Sequence, residues 1–112
     1  MNFAQEIKSN TLILRVSGDL IGEDSGTLID AVSDALSHKV PGCIIDISDL
    51  RYINSSGIGV LITILTKFRN KGGDVYLMKP SESVKKLLVI TKLNAIFHVV
   101  QSEEEAVALS KK

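Results

Sequence analysis

The stretch Asn54-Ser55-Ser56-Gly57-Ile58-Gly59 sets two hydroxyls side by side where a helical pattern begins. Such a pair supports two kinds of chemistry. Asn54 or Ser55 can cap the helix, accepting hydrogen bonds from first-turn N–H groups that lack intrahelical partners, for about 1 kcal/mol. A serine there can also accept a phosphoryl group, adding about −1.5 to −2 charge at the positive end of the helix. Capping leaves unexplained a second serine and two glycines, each of which weakens a helix interior by about 0.5–1 kcal/mol relative to Ala. On a helix Ser56, Gly59, Val60 and Thr63 share one side, apart from the Ile58, Leu61, Ile62, Leu65 and Phe68 stripe that the spacing assigns to the core. The expectation is a small polar ledge with an exposed Val60, suited to a docked partner. Gly57 and Gly59 are expected to permit close approach, with Asn54 and Ser55 shaping the helix start. A phosphate on Ser56 would switch such binding without refolding the domain.

Other chemistry finds less support. A serine hydrolase needs a base beside its nucleophile, yet His38 and His98 fall at a helix end and in a late apolar stretch. Gly-x-Ser-x-Gly is also absent, with Asn54 where the first Gly belongs. One cysteine and two distant histidines give no metal-ligand spacing, so no metal is expected, and Cys43 reads as a small buried strand residue. Neither phosphate-cradling glycine motif occurs, and no cofactor is expected. Lys71-Gly72-Gly73-Asp74 reads as a helix-to-strand turn, Lys85-Lys86 as a solvated helix face, and Glu103-Glu104-Glu105 as an acidic first turn.

The elements that must position the serines follow from periodicity. Alternation over Phe3–Ile7 and again over Leu12–Val16, separated by Ser9-Asn10, predicts an N-terminal hairpin. Leu28, Ile29, Val32, Ala35 and Leu36 mark a first helix ending near His38-Lys39. The apolar run Cys43–Ile47 reads as a strand covered on both faces, and residues 48–54 as a loop. A second helix runs from Ser55 to Gly72-Gly73, and the strand around Val75 and Leu77 closes a strand-helix-strand unit with parallel strands. A third helix begins near Ser81, an edge strand lies within Ala95–Val100, and Ser102 with Glu105 forms a capping-box pattern for a short fourth helix. The result is an α/β layer structure, one domain over residues 1–112, with a mixed four- to five-stranded sheet and about four helices.

The chain carries 13 Lys+Arg against 13 Asp+Glu, with 45% hydrophobic residues. Zero net charge argues against direct nucleic-acid binding and against a polybasic membrane-surface protein, leaving proteins and small molecules as partners. No apolar run approaches the ~20 residues of a membrane span. A lone cysteine and an N-terminus without signal-peptide layout lead to a cytoplasmic expectation.

The segment Asp46–Leu61, centred on Asn54-Ser55-Ser56-Gly57, resembles the signature of the STAS domain, shared by bacterial anti-sigma factor antagonists and sulphate transporter tails. Val16-Ser17-Gly18-Asp19-Leu20, Lys71-Gly72-Gly73-Asp74-Val75, Pro80-Ser81, Leu93 and Glu104–Ala108 extend the similarity over almost the whole chain. The resemblance implies a non-enzymatic antagonist that binds an anti-sigma factor serine kinase, is phosphorylated on the second serine of the pair, here Ser56, and is restored by a phosphatase. ATP and Mg²⁺ would belong to the kinase. It implies a partner surface of Ile21, Asn54, Ser55, Ser56, Gly57, Gly59 and Val60 on a monomer or weak dimer. Two departures stand out: Asn54 replaces the family's usual Asp, and Gly18-Asp19-Leu20-Ile21 replaces Gly-Glu-Leu-Asp, with Glu23 or Asp24 as candidate substitutes for the lost carboxylate. The competing readings are a constitutive STAS scaffold subunit of a lipid-transport or stress-sensing assembly, and a small-molecule sensor at the start of the second helix.

Overall fold

The computed structural model describes residues 1–22 and 26–110, so Glu23 and Asp24 lie outside the described residues. Strands β1 (Asn2–Lys8) and β2 (Thr11–Leu20) form the expected hairpin. Ser9 and Asn10 both take positive φ, 51° and 62°, the mirror-image turn whose twist matches that of paired strands. Helix α1 (Gly26–Ser37), β3 (Gly42–Asp46), β4 (Leu50–Ile53), α2 (Ser55–Arg69), β5 (Asp74–Met78), α3 (Glu82–Ile90), a 3-10 turn at Leu93–Ala95, β6 (His98–Val100) and α4 (Glu103–Ser110) follow.

The sheet order is β1-β2-β3-β5-β6, antiparallel only at the hairpin, with β4 added alongside β2. It therefore has six strands where four or five were expected, and the addition is Leu50–Ile53, inside the stretch read as a loop. Only Leu50 and Ile53 of this strand are buried, so it carries no period-two signal. Its partners Gly18–Leu20 lie some thirty residues earlier in the chain, and pairing over that separation leaves no local mark. The long β2 serves two neighbours in turn. Thr11–Arg15 pair with β3, the register shifts between Gly18 and Asp19, and Gly18–Leu20 pair with β4.

Both faces of the sheet are covered. Leu12, Leu14, Val16, Cys43, Ile45, Val75 and Leu77 join α1, α2 and α3 in the main core, while Ile13, Ile44, Tyr76 and Met78 face the other way toward Ala106 of α4. That explains the near-continuous apolar reading of β3 and β5. Ser81 caps α3 by accepting from Val84 N, and Ser102 Oγ accepts from Glu105 N at 3.1 Å. The return arm of this second cap reaches Gln101 N, 3.0 Å from Glu105 Oε2, one residue earlier than the standard box.

Candidate functional site

The serines are aimed by β4. Asp46 Oδ1 accepts from Ser48 N and Ser48 Oγ at 3.0 and 2.8 Å, turning the chain after β3. Gly18 N donates to Asp49 O at 3.2 Å and Asn54 N to Leu20 O at 3.2 Å, so β4 is fastened to β2 at both ends. An exposed Arg51–Asp19 ion pair at 3.8 Å spans the same two strands. The chain then enters α2 with Asn54 as N-cap, in extended backbone, its Oδ1 accepting from Gly57 N at 2.8 Å. Of the two expected cap residues, Asn54 makes the bond.

Ser55 and Ser56 occupy the first two helical positions, both exposed, and among the described residues neither hydroxyl makes a hydrogen bond. By helix geometry their N–H groups have no intrahelical acceptor. The first turn of α2 holds no acidic residue, while Lys67 and Arg69 stand in the last. The N-terminal end of the helix dipole thus favours an added negative charge at the start, while the basic last turn complements the opposite end.

The buried seam of α2 differs from the expected stripe. It comprises Gly57, Val60, Leu61, Ile64, Leu65 and Phe68. Val60, expected exposed, is 8% accessible, and Ile62, expected in the core, is 39% accessible. Apolar residues surround this helix on nearly every side, so periodicity alone does not choose the seam. Gly57 chooses it: a Cβ there would stand 2.1 Å from Leu20 O and 2.8 Å from Ile53 Cγ1, so only glycine lets the helix meet the end of β2. The close approach at Gly57 is therefore internal. At Gly59 a Cβ would meet nothing within 4 Å, and the position is exposed. The outer face of α2 is Ser55, Ser56, Gly59, Ile62, Thr63 and Thr66. The two threonine hydroxyls fold back onto Gly59 O and Ile62 O at 2.8 and 2.9 Å.

Ile21 is partly buried just beyond β2. The residue that composition did not single out is Gly22, whose φ is +89° and whose missing side chain faces Ser56. A glycine directly after the Gly18–Ile21 segment was its only signal. His98 is remote from the serines: its Nε2 lies 2.9 Å from Asp74 Oδ2 at the opposite end of the parallel strands, stacked on Tyr76. Among the described residues no group of three or more His, Cys, Asp or Glu could hold a metal ion, and no helix is long and apolar enough to cross a membrane.

A six-stranded mixed sheet with an exposed serine pair opening its second helix defines the class. The STAS domain family model matches residues 2–106, and the chain belongs to that family. A Thermotoga maritima protein provisionally named an anti-sigma factor antagonist is 29% identical over 105 residues, covering 93% of each chain. The crystal structure of a Thermotoga maritima protein of that same provisional name superposes with TM-score 0.88 at 26% identity, covering 98% of this chain and 95% of the other. The anti-sigma factor antagonist SpoIIAA in its unphosphorylated form, and the Bacillus SpoIIAA in its phosphorylated form, share the fold. Both have TM-score 0.74, with identities of 21% and 22%, covering 98% and 96% of this chain and 98% and 97% of theirs.

Proposed function

We propose that this chain is a cytoplasmic, non-enzymatic anti-sigma factor antagonist. It binds a cognate anti-sigma serine kinase through the start of α2 and the Ile21-Gly22 segment, and phosphorylation of Ser56 turns that binding off. A phosphatase resets it, and sigma-factor-dependent transcription is the output. The observation that carries the reading is the exposed Ser56 hydroxyl, unbonded among the described residues, at the electropositive start of a helix whose first turn holds no acid. There the domain accommodates a phosphate at little cost, while a docked partner facing the same spot meets new charge and bulk.

Incubation with the cognate kinase and ATP, followed by intact-mass analysis, tests the assignment. Wild type should gain one phosphate and Ser56→Ala none; phosphate on Ser56→Ala, or none on wild type, would remove Ser56 as the acceptor. A pull-down separates the switch from a constitutive scaffold: the switch requires Ser56→Asp to lose the partner and Ser56→Ala to keep it, whereas a scaffold binds equally with both.

A further inference from the structure

Gly22 and Gly72 both have a positive φ, +89° and +81°, but not the same environment. A Cβ on Gly72 would meet nothing within 4 Å. One on Gly22 would stand 2.5 Å from Ser56 Cβ, 3.1 Å from Ser56 C and 3.3 Å from Ser56 O. Carbon atoms in van der Waals contact lie roughly 3.5–4.0 Å apart, so with α2 in place position 22 admits only hydrogen. The segment leading to Gly22 cannot easily withdraw. Leu20 O is bonded to Asn54 N at 3.2 Å and lies against Gly57, so Leu20–Gly22 follow the first turn of α2 from Gly57 to Ser56.

We propose that Gly22 is a positioning and specificity-determining residue for Ser56, an inference that rests on the phosphorylation switch above and deepens it. The backbone at 22 walls one side of the Ser56 side chain and steers its hydroxyl away from the domain. The absent side chain leaves that hydroxyl open to the kinase. A phosphate on Ser56 is likewise directed outward, so its bulk falls on the partner and the fold stays as it is.

The test measures initial phosphorylation rates with the cognate anti-sigma kinase and ATP for wild type, Gly22→Ala and Gly72→Ala. Gly22→Ala should raise the KM for the chain about tenfold while kcat stays within about twofold; Gly72→Ala, with the same φ strain and no contact, should match wild type. Thermal melts of Gly22→Ala and of Gly22→Ala/Ser56→Gly accompany the kinetics. Removing the Ser56 side chain relieves the 2.5 Å contact but leaves the backbone contacts and the positive-φ strain, so the double variant should recover part of the melting temperature that Gly22→Ala loses, even where Gly22→Ala alone fails to fold. A wild-type KM for Gly22→Ala, an equal KM rise in Gly72→Ala, or no recovery in the double variant would overturn the role of Gly22. Absence of phosphate on wild type overturns the switch itself and is read in a separate arm.

Discussion

Gly57→Ala should destabilise this protein, although the same change in an exposed helix normally stabilises it. Alanine gains about 0.5–1 kcal/mol over glycine inside a helix. Here the new methyl would stand 2.1 Å from Leu20 O and 2.8 Å from Ile53 Cγ1. The start of α2 must back away by roughly 1 Å to reach ordinary contact. Forced overpacking of this kind costs about 1–3 kcal/mol. The same movement stretches the Asn54 N–Leu20 O bond and disturbs the Asn54 cap, 3.2 and 2.8 Å long, each worth about 1 kcal/mol. Set against the alanine gain, the net loss is about 2–4 kcal/mol, a fall of roughly 10–15 °C in melting temperature for a domain of this size. Gly59→Ala is the internal control. It lies on the same helix with nothing within 4 Å of its Cβ position, and should raise stability by about 0.5–1 kcal/mol. Urea unfolding of both variants at constant slope measures the two signs directly. Gly57→Ala as stable as wild type would refute the close approach of α2 to β2, and with it the account of how Ser56 is aimed.

Further outcomes follow from the same structure. Asn54→Ala should lose about 1 kcal/mol in urea unfolding through the missing cap, whereas Asn54→Asp keeps the cap and gains about 0.3–1 kcal/mol at low salt from the helix dipole. Burial pushes the Cys43 thiol well above its ordinary range, so the native thiol should resist iodoacetamide until the chain unfolds, read by mass spectrometry. The sign of its pH dependence is fixed. Above about pH 8.5–9 the unfolded chain releases the thiol proton while the native chain holds it, so stability falls as pH rises, by about 1.4 kcal/mol per pH unit for this one group. Cys43→Ala should flatten the alkaline limb of a stability-pH curve, leaving the smaller part from Tyr76, whose phenol burial also raises. Gly73→Ala should lower the melting temperature more than Gly72→Ala, which carries only the strain of its positive φ, because a Cβ at Gly73 would stand 1.9 Å from Pro41 O; comparative thermal melts check it.

Several features were legible from residues alone because their causes are local. Ser9-Asn10 between alternating runs gave the hairpin, Ser81 and Ser102 marked the starts of α3 and α4, and the apolar run at Cys43–Ile47 marked a strand covered on both sides. The serine pair stood out because glycine is costly in a helix and needs a reason. Long-range pairing was not legible. The strand Leu50–Ile53 exists because Gly18–Leu20 lie beside it, and its own four residues carry no alternation. The facing of α2 was misjudged, with Val60 buried where Ile62 was expected, because its apolar residues spread around the helix.

The sequence by itself determined the family, the order of most elements and the serine pair at the head of a helix, since each rests on neighbours within a few residues or on a motif matched along the chain. Tertiary structure decided which glycine serves the fold and which stays open. Gly57 meets β2, Gly59 meets nothing and Gly22 meets Ser56, and these three fates of one residue type depend on what a Cβ would strike across the chain. Composition and periodicity describe a chain's own surface, and close packing between distant backbones becomes visible only when both are in place.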